Sequence, residues 1–503
     1  MNIRAAVAAT VLFASAVSVQ TQTGDPALAR IRAEGMEHSQ VERVFNTLTV
    51  EIGPRLTASP AHKKAAEFAR AELASYGLDN ARLEGWAFGR GWTADKLTLE
   101  MIEPRYLPLI GYADGWSAST AAEITGTPVF IGGKTAPEEL AALAPRLKGA
   151  IVMSQPIMTN FVRKDRPQPS DPDYVPMSAA YATSAGRGRG PAPVGETAQQ
   201  RNQRVTDAVK AAGGGVILKP STGEHGTVFV TGRDGGPGAI PSVTLSAEHY
   251  NMIARLLQAQ PASVTLRVNV KTTFYDADHG NAYNVLAELP GTDPALKDEV
   301  VMIGGHLDSW HTGVGATDNA DGVATVVEAM RILKAIGARP RRTIRVALWG
   351  GEEQGLLGSK AWVTAHLAGP ANAAARDTFD VYYNIDNGTG KIYGWYLQNQ
   401  EEVRPIFDSW IEPLKSIGAR RNVSEPVGST DHLSFTDAGV PGFNPIQDYG
   451  NYDIRTHHTN MDTNDRVDVN DIRQAAIVMA TFAYQSAMTD RKLPRPVMGR
   501  PGR

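Results

Sequence analysis

Successive apolar runs that each end on acidic or imidazole side chains leave a chain few folds, and residues 299–355 follow that pattern. EVVMIGG (Glu299–Gly305) runs into HLDSW, GATDNADG opens an amphipathic stretch, and TIRVALW (Thr343–Trp349) runs into GGEEQG. Strands buried on both faces read as continuous apolar runs of this kind, and they belong to parallel sheets covered by helices. In open sheets of that type, ligands gather beyond the carboxyl ends of the strands. Carboxylates and a histidine arriving together at such a rim imply a metal site.

The rest of the C-terminal half keeps the same rhythm. NAYNVLAELPG (Asn281–Gly291), DVYYNIDNG (Asp380–Gly388) and VPGFNP (Val440–Pro445) read as further strands. Val323, Val326, Val327, Met330 and Leu333 fall on one stripe of a helix over 322–336, closed by Gly337 with Pro340 beyond. Helices are also expected over 405–417 and 471–488. The predicted class is α/β, a mainly parallel mixed sheet flanked by helices.

Upstream, residues 25–76 read as helical with a break at GPRLTASP (Gly53–Pro60), and Gly77 suits a helix C-cap. Lys96–Ile102 alternates as a strand should. From 108 to 270 the character changes. KGAIVMSQ and GGGVILKP look like buried strands, and 167–190 is an aperiodic loop rich in Pro, Gly, Ser and Arg. IPSVTLSAEHYNMIARLL (Ile240–Leu257) reads as a strand and then a helix capped at Ser246. At about 100–200 residues per domain, 503 residues allow two or more domains. The expected division is 25–107 and 271–490 for the main domain, 108–270 for an inserted α+β domain, and 491–503 for a frayed tail.

Charge and composition remove several classes. The net charge of −3 gives no global attraction to nucleic acid or to an anionic membrane, and no aromatic-basic stripe marks a nucleic-acid surface. No cysteine is present, which excludes thiol nucleophiles and thiolate zinc ligands. No Gly-x-Ser-x-Gly elbow and no phosphate-binding glycine loop occurs. Met1–Arg4 is basic, Ala5–Val17 is apolar, and Ala14-Ser15-Ala16 offers small residues for cleavage. These features predict a signal peptide over 1–20 and a secreted or periplasmic protein. No later run reaches the roughly 20 apolar residues of a membrane helix.

The candidate site residues are His306, Asp308, Asp318, Glu352, Glu353, Asp386 and His458. Taken singly, each has a commonplace alternative: a core histidine, a helix N-cap for Asp318, a solvated face for the Glu pair. Together they would bury uncompensated charge at strand ends, a cost that a dication removes. Nitrogen and oxygen ligands without sulfur suit Zn²⁺, with Mn²⁺ and Co²⁺ also compatible.

HLDSW, TDNADG, GGEEQG, NIDNG and HTNMDT, in this order, resemble the motif series of the di-zinc exopeptidases, the leucyl aminopeptidase and glutamate carboxypeptidase type. GGHLDSW and the insert are most similar to the carboxypeptidase Q-like members, whose inserted protease-associated domain residues 108–270 resemble. The resemblance implies a zinc exopeptidase fold and two Zn²⁺ per chain. It implies that His306 and Asp386 hold one ion, Glu353 and His458 the other, with Asp318 bridging. The spacing His-Thr-x-x-Asp-Thr favours His458 over His457. Glu352 would be the general base and Asp308 the carboxylate that orients His306; Asp321 reads as a first-turn residue. His432 and the segment Ser429–Phe435 are candidates for an oxyanion donor. The implied substrate is a short peptide; carboxypeptidase or dipeptidase action and aminopeptidase action both stay open. Arg187–Arg189 and Arg455 are the cations considered for a substrate carboxylate. An inactive binding homologue and a relative that cyclises amino-terminal glutamine are the other readings, the insert arguing against the second, and a homodimer is compatible with the sequence.

Overall fold

The computed structural model describes residues 25–171, 196–236, 238–276 and 281–496. The signal peptide expected over 1–20, the Arg187–Arg189 loop and most of 167–190 lie outside the described residues.

Seven strands form the main sheet in the order Asp79–Ala87, Asn281–Leu289, Thr343–Trp349, Val300–His306, Phe379–Asn384, Gly442–Ile446 and Gly394–Tyr396. The four from Thr343–Trp349 to Gly442–Ile446 run parallel, and the outer pairings are antiparallel. Alternation along these strands sorts side chains to two covers. Val301, Ile303, Val346 and Leu348 enter one core, whereas Met302, Ala347 and Trp349 enter another across the sheet. Both faces are therefore dry, which is why these strands read as unbroken apolar runs.

The helix Asp321–Ala335 shows what a sandwiched helix requires. It lies between the sheet and the helices Pro26–Glu37, Val41–Asn46 and Val469–Met488, and it is buried from Asp321 through Leu333. Its charged Glu328 and Arg331 are tolerated because they pair with each other at 2.8 Å, and Arg331 also meets Glu34 at 2.6 Å. The helix Pro60–Ser75 starts with Ser59 accepting from the His62 amide at 3.2 Å and Pro60 fixing the first turn. It ends at Gly77, whose φ of +78° lets the Leu78 amide reach back to the Leu73 carbonyl.

The chain leaves the main sheet after Ala87 and rejoins it at Asn281, the two residues facing each other in the ladder. Between them stand two smaller sheets. One is antiparallel, with Gly91–Glu103 and Thr265–Tyr275 as its long central pair. The other has five strands, of which Val129–Phe130, Ile151–Met153, Val216–Pro220 and Ser242–Leu245 run parallel, with helices in the first two of their three connections. This part alternates strands and helices rather than segregating them as an α+β insert would.

The tail also departs from expectation. Leu493 is buried, its amide donates to Asp380 Oδ1 at 2.7 Å, and Arg495 donates to the Arg376 carbonyl at 2.9 Å. The described tail residues are thus tied to the edge of the Phe379–Asn384 strand. No helix among the described residues is long and apolar enough to cross a membrane.

Candidate metal centre

His306 is the last residue of the Val300–His306 strand, where the strand order reverses between the neighbours Thr343–Trp349 and Phe379–Asn384. Such a switch point opens a crevice at the carboxyl ends of the strands. Its Nδ1 donates to the backbone carbonyl of Asp308 at 3.0 Å. A carbonyl only accepts, so Nδ1 carries the proton and the Nε2 lone pair is left free. Nε2 lies 3.1 Å from Asp318 Oδ1 and 3.7 Å from Asp386 Oδ1. It has no partner in hydrogen-bonding geometry.

Asp318 sits in the irregular turn Ala316–Ala320 ahead of the long helix, and its peptide bond to Asn319 is cis. It does not cap that helix, whose N-terminal residue Ala320 has no side-chain cap. Its Oδ2 faces His458 Nε2 at 3.5 Å while its Oδ1 faces His306. One carboxylate therefore looks at two imidazoles. Glu353 Oε2 stands 2.8 Å from His458 Nε2, and its Oε1 is buried without a partner. Glu352 and Glu353 diverge as adjacent residues past a strand end do. Ligand atoms of His306, Glu352 and Asp386 lie within 4.8 Å of one another, as do those of His306, Asp318 and Glu353. His457 also has a ligand atom within 4.8 Å of Asp318 and His458, and its ring stacks on Tyr452 at 4.7 Å.

Asp308 behaves differently from the reading that its carboxylate orients His306. Its Oδ1 is 3.6 Å from His306 Nδ1, and its backbone carbonyl makes the bond instead. The carboxylate accepts from Thr57 Oγ1 at 2.8 Å and from the amides of Glu352 at 3.2 Å and Glu353 at 3.3 Å. Asp308 thus joins the imidazole to the turn that carries both glutamates. Behind it Arg55 is fully buried and donates to the carbonyls of Leu307 at 2.9 Å, Val314 at 2.8 Å and Gly315 at 2.8 Å. Burial lowers its pKa to about 10 despite the surrounding carboxylates. Asp462 accepts from the Thr317 amide at 2.7 Å and steadies the Asp318 turn. Neither Arg55 nor Asp462 was singled out in the sequence, although GPRL and HTNMDT contain them.

The electrostatics are those of a crowded acidic pit. Asp308, Asp318, Glu352, Asp386, Asp431 and Asp462 are all buried there. Burial, reinforced by Asp386 and Asp431, pushes the Glu352 carboxyl well above its ordinary range, with His306 opposing. Burial and Asp318 raise Glu353 to about 7, and burial raises Asp431 to about 7. Against the burial of its own charge, His458 is raised to about 9 by Glu353 and Asp318. Seven clustered acids with unpartnered lone pairs on His306, Asp318 and Glu353 fit the donor set of a hard or borderline dication.

Of the remaining candidates, Ser429 lines the cavity, whereas His432 and Arg455 are engaged elsewhere. His432 is buried and its Nε2 bonds the Val427 carbonyl at 3.0 Å, so it supports the chain and offers no donor to the cavity. Arg455 bonds His225 Nδ1 at 2.8 Å and the Glu224 carbonyl at 3.3 Å. Asp321 begins the helix, as a first-turn residue does, and accepts from the Gly322 amide at 2.7 Å. A cavity of about 680 Å³ opens over the cluster, lined by Asp318, Glu352, Glu353, Asp386 and His458 on the floor and by Val162, Lys164 and Arg166 on one wall.

An α/β sheet with imidazoles sharing one carboxylate at its switch point, beneath an open cavity, is the arrangement of a metallohydrolase. Residues 284–483 match the model of Peptidase family M28. The chain is 28% identical to carboxypeptidase Q of Bos taurus over 445 residues, 88% of this chain and 84% of the bovine protein. The fold follows that of a peptidase M28 precursor from Shewanella amazonensis SB2B, with 26% identity, a TM-score of 0.68, and coverage of 94% of this chain and 98% of the other. The zinc aminopeptidase BSAP from Bacillus subtilis has the same fold at 20% identity and a TM-score of 0.55, over 88% of this chain and 93% of its own.

Proposed function

We propose that this zinc peptidase binds two Zn²⁺ per chain and removes residues from the end of short peptides or dipeptides, acting outside the cytoplasm. The observation that carries the reading is Asp318, whose two oxygens face His306 and His458 at 3.1 and 3.5 Å. His306 and Asp386 would hold one ion, Glu353 and His458 the other, and Asp318 both. Bound zinc supplies an acidified water and a Lewis acid for the scissile carbonyl.

The chain's own groups do the rest. Glu352 stands beside the ligand cluster, its carboxylate within 4.8 Å of His306 and Asp386, where it can take the water's proton and return it to the leaving amine. Asp308 keeps Glu352 and Glu353 on one rigid turn through their amides, so the base and a ligand move together. Residues 108–270 serve as a protease-associated domain that walls the cavity, and residues 1–20 direct export. The inactive-homologue reading loses its support because each expected ligand and the base are present.

Elemental analysis of the purified protein, paired with hydrolysis of a free dipeptide, tests this. Two zinc per chain, activity lost on chelation and restored by zinc are expected. A protein that holds no zinc and gains no activity from added zinc would overturn the reading.

A further inference from the structure

We propose that Lys164 anchors the α-carboxylate of the substrate, making this site one for dipeptides and free peptide carboxyl ends; the inference rests on the peptidase reading above.

Among the described residues, two cationic side chains other than histidine line the cavity, Lys164 and Arg166. Arg166 is spoken for. Its Nε and Nη2 meet the two oxygens of Asp453 at 2.8 and 2.9 Å, and its guanidinium lies 3.9 Å over the Tyr449 ring. Lys164 is exposed to the cavity and has no ion-pair or hydrogen-bond partner among the described residues. A free ammonium at the rim of an acidic pit has no structural task here.

Its position is also fixed from both sides. The Val162 amide donates to the Thr222 carbonyl at 3.0 Å within the insert. Beyond Lys164, Asp165 Oδ1 accepts from the Asp453 amide at 3.1 Å, Gln168 Oε1 from the Tyr449 amide at 2.6 Å, and the Ser170 amide donates to Asp448 Oδ1 at 2.8 Å. Residues 162–170 thus form a strap that holds one ammonium over the metal ligands, a placement that reduces the ordering cost of binding.

The complementary end of a peptide has no anchor. The carboxylates lining the cavity are Asp318, Glu352, Glu353 and Asp386, all within the metal cluster, and Asp453, which Arg166 takes. Among the described residues no carboxylate is left there to receive a substrate ammonium. The charge pattern therefore selects the carboxyl end.

The test uses the zinc-loaded enzyme with a neutral dipeptide, its carboxyl-terminal amide, and an amide ending in a glutamate residue. Wild type should prefer the free acid over the neutral amide by at least tenfold. Lys164→Ala should lose roughly 10–100-fold in kcat/KM on the free acid, as expected for one charge-assisted contact, and mainly through KM. The preference over the amide should collapse towards one. Lys164→Arg should restore most of it, and Arg163→Ala, which removes the neighbouring cation paired with Glu224 at 2.9 Å, should behave as wild type. An unchanged preference in Lys164→Ala, or equal cleavage of acid and amide by wild type, overturns the anchor and leaves the peptidase reading standing. Lys164-dependent cleavage of the glutamate-ending amide also overturns it, by assigning the lysine to a side chain. A zinc-loaded enzyme that cleaves none of the three overturns both.

Discussion

Glu352 and Asp308 both touch the metal centre, and they should fail in different ways. Glu352→Gln keeps size and hydrogen bonding and removes the proton acceptor. It should retain its zinc and lose at least about 10²–10⁴-fold in kcat, the range for a general base; a zinc-loaded variant with wild-type turnover would take Glu352 out of the mechanism. Asp308→Asn leaves the base in place and weakens the support under it. The side chain loses its charge and one of the acceptors shared by Thr57 and the Glu352 and Glu353 amides. Zinc affinity, read by competition with a chelator, should fall about 10–100-fold. Affinity equal to wild type would mean that the Asp308 backbone carbonyl alone suffices to hold His306. The sequence placed Asp308 beside His306 and could not say which of its oxygens would turn inward, because that depends on Thr57, far away in the chain.

At the scale of elements, local pattern carried most of the information. The strands Val300–His306 and Thr343–Trp349 and the helix Asp321–Ala335 fall within a residue or two of where apolar runs and 3.6-residue periodicity put them. What failed depended on contacts between distant residues. The basic, Pro-rich stretch after Asp490 reads as frayed, yet Asp380 on a buried strand supplies the acceptor that holds Leu493. That arrangement has a pH signature. Burial pushes the Asp380 carboxyl up to about 6, with the Leu493 amide and Arg342 opposing. Its unfolded value is near 3.9, so between about pH 4 and 6 the folded chain binds a proton that the unfolded chain has released. Stability from this group is present at low pH and is lost as pH rises through 6, at most about 3 kcal/mol. Asp380→Asn keeps an acceptor for Leu493 and cannot ionise. Its stability relative to wild type, measured by urea unfolding, should therefore rise between pH 4 and 6 and level off above. A difference that stays constant across that range would show that the two states share one pKa.

The whole molecule depends on a contact that no local motif announces. Arg166 and Asp453 are 287 positions apart, one in an aperiodic stretch of the insert and the other just ahead of the His457–His458 loop. The same seam continues where the Val230 amide donates to the His458 carbonyl at 2.9 Å and where Phe229 bridges Thr459. The metal loop is thus held from the insert as well as from the sheet, so the two parts of the chain build one cavity. Arg166→Met removes one partner of a largely buried pair, at a cost of about 2–4 kcal/mol. Because the strap is a small part of the fold, that cost should appear as local opening rather than global unfolding. Amide exchange across 162–170 should quicken, KM for a dipeptide should rise several-fold, and the zinc content should stay at the wild-type level, since no expected ligand lies on the strap. Faster exchange with an unchanged KM would mean that the strap covers the cavity without shaping how substrate sits in it. Loss of zinc would mean that the insert is needed to hold the His458 loop itself.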